Sequence, residues 1–273
     1  MTVAEDAAPP LPDTLAAGAE AVLRTADPWA KAAFSRRVAA RWFEGGLAIG
    51  RADPPDRPAR PDRPELLDPR AMPKRGAGSV AGRIALIHAV AHIELNAIDL
   101  HWDIVARFAE ARLPRGFFDD WALAADQESK HFQLLSARLE ALGSSYGALP
   151  AHAGMWRSAE ATKDDLQARL AVVPMVLEAR GLDVTPGMIE TFERAGDEET
   201  AAALRVIYAE EVGHVAYGSK WFHFLCGRDD LDPKPYFHAL VRRYFDSRLK
   251  PPFNDEKRAE AGLPLDFYWP LTE

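Results

Sequence analysis

Cysteine is nearly absent: Cys226 is the only one in 273 residues. An internal disulfide is therefore impossible, a cysteine metal site cannot be assembled, and a reducing compartment is the expected setting. Long apolar runs are missing too. The best candidate, RIALIHAVAHIELNAIDLHW, is interrupted by histidines and acids, so no membrane span is expected. The opening MTVAEDAAPPLPDTL carries neither the basic nor the apolar region of a signal peptide, and a cytoplasmic location follows as the expectation. Positive charge is in the minority, with 33 Lys and Arg against 41 Asp and Glu and a net charge of -8. Broad capture of nucleic acid or of an anionic membrane is thereby disfavoured, leaving room only for a local patch. No segment shows a convincing strand pattern.

What is present points to a helical protein. Hydrophobic residues make up 48% of the chain, enough for a sizeable core. Seven of the 21 prolines gather in RADPPDRPARPDRPELLDPRAMPK, residues 51–74, where they remove backbone donors and forbid a helix interior, so an extended surface arm is predicted. The seven basic and five acidic residues of 51–75 leave too little net charge to argue for RNA binding. A short helix over 27–43 is predicted before the arm, capped by Asp27 and Pro28, and residues 1–12 read as frayed. After Gly78 a helix over 79–112 is marked by Ile84, Ile87, Ala91, Leu95 and Ile98. A second covers 117–142, and 143–156 reads as loop. A third begins near Thr162, carries Leu166, Leu170, Val173 and Leu177, and meets Gly181; LDVTP then reads as a bend or restart, with further turns to Ala195. A fourth covers 197–226, and a last helix, 234–249, leads into an aromatic tail, DFYWPL.

The predicted fold is all-α. A four-helix bundle of two antiparallel hairpins and one long crossover spans 78–226. An N-terminal helix and Pro-rich extended arm precede it (1–77), and a C-terminal helix and aromatic tail (227–273) pack on it.

Two of these helices carry the same short pattern, Glu128-x-x-His131 and Glu211-x-x-His214. Residues three apart share a helix face, so each pair presents one oxygen and one nitrogen to a single ion. Either pattern alone is weak in a chain with this many acids. The repeat is stronger: Glu94 stands 34 residues before Glu128, and Glu178 stands 33 before Glu211. At about 1.5 Å per residue, an antiparallel hairpin brings each such pair of glutamates to similar depth. Four glutamates and two histidines on inward faces form the di-iron or di-manganese arrangement of ferritin-like bundles. Charge gives the same answer, since two divalent cations balance four carboxylates that would otherwise be buried unpaired. Oxygen ligands with one imidazole per metal suit Fe or Mn. Ala124, Ala125, Leu134, Leu135, Ile207 and Val215 lie at inward spacings on the same helices, which disfavours a solvated face for the glutamates.

Several segments also resemble a known family. HIELNAIDL, ADQESKHFQLL, VPMVLEARGLDVTP and EEVGHVAYGSKWF, with RPARPDRPELLDPRAMPKR, LKPPFN and AGLPLDFYWPL, are similar to the ferritin-like proteins catalogued as domain of unknown function 455. The resemblance covers about 28–273 and implies a ferritin-like fold; it says little about substrate. A more distant resemblance to the di-iron transfer-RNA hydroxylases is fold-level analogy.

Neighbours of the six ligands have plainer readings. His92 lies about 200° round the helix from Glu94, so His88 and His92 read as hydrogen-bonded core on another face. His101 returns to the Glu94 face; a satisfied core histidine is the preferred reading, a group supporting the ligands or an alternative ligand the other. Tyr208, Tyr217 and Trp221 share the Glu211–His214 stripe and read first as core, second as redox-active aromatics near the metal; Trp121 invites the same choice. Gly213 and Gly218 flank His214, either leaving room for dioxygen or substrate or permitting close helix packing. Pro174, four residues before Glu178, predicts a kink or π-type bulge. Cys226 reads as an inert buried thiol. The expected function is an oxygen-activating hydroxylase or oxidase holding two Fe ions, with an Mn/Fe pair as the variant. It would act with dioxygen, a small-molecule substrate and an unidentified electron donor, as a monomer or small homo-oligomer. A ferroxidase or iron-binding protein, or a metal-stabilised partner-binding scaffold, is the alternative.

Overall fold

Side-chain caps set most helix starts. In the computed structural model, which describes residues 10–68, 71–72, 78–152 and 154–272, Thr14 caps α1 (Leu15–Leu23) by accepting from the Ala17 N–H at 3.3 Å. Asp27 caps α2 (Pro28–Phe43) at 2.8 Å from the Ala30 nitrogen, with Pro28 in the first turn, the position where its missing N–H costs nothing. The long helices α3 (Val80–Arg107) and α4 (Arg115–Ala141) follow. Next come α5 (Gly154–Ala161), α6 (Leu166–Val172), a π-helical segment Val173–Glu178, and α7 (Ala179–Arg194). The chain ends with α8 (Glu198–Arg228), α9 (Pro233–Tyr244), α10 (Asp255–Glu260), α11 (Leu265–Tyr268) and a 3-10 turn, Trp269–Leu271. Among the described residues there is no strand, only isolated bridges pairing Thr14 with Ala48 and Leu66 with Ala151. None of these helices is long and apolar enough to cross a membrane.

The differences from the predicted elements have local causes. The first long helix stops at Arg107 rather than 112, and Arg112 takes a left-handed conformation, φ 52°. The predicted loop 143–156 gives way to α5 from Gly154. The expected restart at LDVTP does not occur: α7 runs through it with Pro186 in its interior. Pro186 cannot donate to the Leu182 carbonyl, and that carbonyl instead accepts from Asn254 Nδ2 at 3.2 Å. The predicted last helix ends at Tyr244 instead of 249. α1 was not foreseen, nor were α10 and α11. The expectation of fraying over 1–12 falls mainly on 1–9, which lie outside the described residues, as do 69–70 and 73–77 of the arm.

The chain divides into two compact units. One holds the described residues up to Pro61 together with Ala97–Lys130; the other holds Asp62–Asn96 with His131–Glu273. Both α3 and α4 run unbroken from one into the other.

In the first unit, Leu15, Val22, Phe34, Val38, Trp42, Trp102, Phe117 and Trp121 are buried. A Cβ on Gly18 would lie 2.7 Å from Val38 Cγ1, so α1 and α2 approach backbone to side chain. A polar seam runs through this core. Lys31, 2% exposed, meets Asp99, 1% exposed, at 2.5 Å. Burial pushes Lys31 below the usual lysine range and Asp99 above the usual carboxylate range. One helical turn on, the Trp102 indole N–H donates to Ser35 Oγ at 2.7 Å, and the Ser35 and Ser129 hydroxyls lie 2.7 Å apart. The Pro-rich arm carries no helix over 51–68 and is held by its carbonyls, the backbone groups that proline retains. Ala59 O accepts from Lys31 Nζ at 3.1 Å, Pro55 O from Arg107 at 3.0 Å, and Asp53 O from Arg24 at 3.0 Å.

In the second unit the arm pairs with Ala151: the Leu67 N–H donates to Ala151 O at 2.8 Å and the Ala151 N–H to Glu65 O at 2.9 Å. His88 Nε2 accepts from the Gly147 N–H at 2.9 Å, while His92 bonds the Tyr146 hydroxyl at 2.8 Å and reaches His152 O at 3.2 Å. Both histidines are thus the hydrogen-bonded core expected of them. At the far ends, Arg138 of α4 reaches Asp197 at 3.1 Å and Thr200 at 3.1 Å, gripping the cap of α8. A three-residue turn, 195–197, joins α7 to α8, and the two helices pack along one another.

Two predictions follow from this packing. Lys31→Met leaves a buried carboxylate alone and should destabilise the fold by about 3–5 kcal/mol, whereas Lys31→Met with Asp99→Leu should recover most of that loss in a urea titration. Equal losses in the single and double variants would contradict the pairing. Cys226 is buried, and its thiol is pushed up to about 11 by burial and by nearby Asp229 and Asp232. The thiol therefore stays protonated at pH 8, and a chromogenic disulfide reagent should label it only on unfolding; rapid labelling of native protein would be the contrary result.

Candidate metal centre

Three helices of the second unit supply a convergent donor set. α3 presents Glu94, α4 presents His131, and α8 presents Glu210, Glu211 and His214. Glu94, His131 and Glu211 each place one ligand atom so that the three lie within 4.8 Å of one another. His131 Nδ1 stands 3.2 Å from Glu94 Oε2 and 4.0 Å from Glu211 Oε1. His214 Nδ1 lies 3.5 Å from Glu211 Oε1, and the rings of His131 and His214 are 6.0 Å apart. The set is buried: Glu94 is 4% exposed, Glu211 7%, and both histidines 0%.

The other ring nitrogen of His131 has a partner that the sequence pattern did not single out. Glu210 Oε2 lies 2.8 Å from His131 Nε2. With Nε2 donating to Glu210, the Nδ1 lone pair faces Glu94 and Glu211, the orientation that a histidine needs to bind a cation. Glu210 directly precedes Glu211 in EEVGH, so it projects about 100° away, toward a neighbouring helix. The doubled acid was the available signal.

In the first unit, His101 Nε2 lies 3.6 Å from Glu128 Oε1, and the two are 0% and 1% exposed. The His101 ring stacks on Trp121 with centroids 5.4 Å apart. His101 is therefore beside a predicted ligand. Glu128 stands one turn before His131 on unbroken α4, and His101 two turns after Glu94 on unbroken α3, so each pair shares its helix face.

Glu178 closes the π-helical segment, 6% exposed; its carboxylate is not one of the three converging in the second unit. The bulge predicted from Pro174 is present as that segment, and the Ala179 N–H bonds Pro174 O in the wide π register. Gly218 answers to packing: a Cβ there would lie 2.5 Å from Pro174 Cγ, so α8 can pass the bulge only without a side chain. Gly213 has more room, with Tyr217 Oη 3.6 Å from a Cβ position. Of the three aromatics on the stripe, Tyr217 adjoins the His214 ring at 6.4 Å. The Tyr208 hydroxyl accepts from Asn254 Nδ2 at 2.7 Å, and Trp221 packs edge-on against Phe224. Leu134, Leu166 and Leu177 are half-buried rather than fully inward.

The structure thus defines an all-helical protein with buried carboxylates and histidines that can hold a metal ion. The chain matches the family described as protein of unknown function (DUF455) over residues 24–269, and it belongs to that family. It is 41% identical over 210 residues to an uncharacterized protein of Haemophilus influenzae, covering 75% of this chain and 73% of that one. No solved structure matches it.

If Glu210 orients His131, Glu210→Ala should weaken Co(II) binding in equilibrium dialysis by about 10–100-fold while the helical circular dichroism is kept. Unchanged Co(II) affinity would remove Glu210 from the site.

Proposed function

We propose that this chain is a ferritin-like di-iron carboxylate protein acting as an oxygen-activating oxidoreductase, a hydroxylase or oxidase of a small-molecule substrate. The carrying observation is the buried group formed by Glu94, His131 and Glu211, with Glu210 behind the histidine. Oxygen and imidazole donors without sulfur suit Fe, or an Mn/Fe pair. The remaining proposed ligands are Glu128, one turn before His131, together with Glu178 and His214, all buried. In this reading α3 with α4, and the α6–α7 stretch with α8, are the two antiparallel hairpins of the bundle. Residues 143–161 are then its crossover, and the segments before 78 and after 226 wrap it.

When bound, the ions supply the redox capacity to reduce dioxygen while substrate is oxidised, with a separate electron donor. The chain's own work is orientation and exclusion of water. Glu210 holds the Nε2 proton of His131, so Nδ1 stays available on the side of Glu94 and Glu211. Burial keeps the carboxylates in a medium where their charge attracts a cation strongly. Bulk charge argues less against an anionic substrate than it first suggests, because two divalent ions would offset four of the acidic charges. A cytoplasmic monomer or small homo-oligomer fits the reading, and the long segments outside 78–226 distinguish it from a storage-cage subunit.

Anaerobic loading with Fe(II) followed by oxygen should produce new near-ultraviolet absorbance and a diferric Mössbauer signal, and His131→Ala should abolish both. Loaded protein that does not change on exposure to oxygen would contradict the oxidoreductase role.

A further inference from the structure

The signature segments VPMVLEARGLDVTP, LKPPFN and LPLDFYWP contribute only Glu178 to the proposed metal shells, yet the fold brings them together. Arg258 of α10, 2% exposed, forms a two-pronged ion pair with Asp183 of α7, at 2.8 Å from Nε and 2.7 Å from Nη2. Its guanidinium lies 5.1 Å from the Phe253 ring centroid and 4.5 Å from that of Tyr268, and the Tyr268 hydroxyl is anchored on Asp255 at 2.5 Å. The same guanidinium reaches the carbonyl of Ala179, the residue after Glu178, at 3.4 Å. Arg180 bonds the carbonyls of Lys250 and Pro252, both at 2.8 Å. Asn254 then bridges two helices: its backbone N–H donates to Asp183 at 3.0 Å, and its Nδ2 group donates to Leu182 O at 3.2 Å and to Tyr208 Oη at 2.7 Å. Tyr208 lies one turn before Glu211 on α8.

The backbone here needs external support. The π segment widens the turn that ends on Glu178, and Pro186 leaves Leu182 O without its helical donor. The C-terminal segment supplies the donor that Leu182 O lacks through Asn254 Nδ2, adds an Arg258 bond to Ala179 O, and so contacts the turn after Glu178 and, through Tyr208, the turn before Glu211. From this geometry we infer that residues 250–268 are the positioning element of the Glu178–Glu211 side of the centre, with Arg258 and Asn254 as its positioning residues. Arg258 fixes the first turn of α7 through Asp183, and Asn254 sets that turn against α8. The inference rests on the two-metal reading above.

Co(II) titration of the full chain tests it, because the visible d–d bands report ligand geometry independently of activity. Wild type should take up two Co(II). Arg258→Lys and Asn254→Ala should each weaken one of the two by about tenfold and shift the bands. Arg24→Ala, which removes only exposed contacts to Glu20 and to the Asp53 carbonyl, should leave the bands unchanged. If Arg258→Lys does not fold, Asn254→Ala reads the same contact from its other end. Wild-type affinity and bands in Asn254→Ala, or a band shift in Arg24→Ala equal to that of Arg258→Lys, would overturn the positioning role. A wild-type chain that takes up no Co(II) would overturn the two-metal reading itself and this inference with it.

Discussion

A carboxylate moved from water into a helical core is costly unless a cation or several donors meet it. Glu94, Glu128, Glu178 and Glu211 are all at most 7% exposed, and much of this structure can be read as an answer to their charge. His131 stands between Glu94 and Glu210 with a carboxylate on each ring nitrogen. His214 stands beside Glu211 and His101 beside Glu128. Imidazoles can share one proton apiece, which does not balance this much negative charge, whereas metal ions would. Burial, donor chemistry and the doubled motif therefore agree.

The chain departs from regular helix at Pro174 and Pro186, and each departure is matched by a specific contact. Pro174 opens the π segment, and Gly218 on the passing helix gives it room. Pro186 strands a carbonyl that Asn254 serves. The proline-rich arm, poor in donors, is held by lysine and arginine side chains that reach its carbonyls. Prolines in this chain thus create acceptors, and distant side chains supply the donors.

Much of this was legible in the sequence, and what escaped has a pattern. Caps such as Asp27 with Pro28, and the 3–4 spacing of Ile87, Ala91, Leu95 and Ile98, placed the long helices, because those signals are local. The family assignment rested on segments spread along the chain and is matched over 24–269. Pro174 beside Glu178 correctly announced a bulge. Pro186 misled, because its cost is offset by Asn254, 68 residues later, which no local window contains. Glu210 escaped because its role depends on a neighbouring helix, although it stands next to Glu211. The π register, the Arg258–Asp183 pair and the α10 and α11 turns are likewise tertiary facts. The proposed ligands were read from spacing, and the structure brings Glu94, His131 and Glu211 among them together.

The central claim is that the buried carboxylates and histidines hold two metal ions. Elemental analysis of the purified protein, paired with an anomalous difference map at the iron edge, tests it most directly. The account predicts two iron atoms per chain, or one iron and one manganese, with peaks among Glu94, Glu128, His131, Glu178, Glu211 and His214. A protein free of metal after purification and after loading, with no anomalous peak among those six residues, would contradict it.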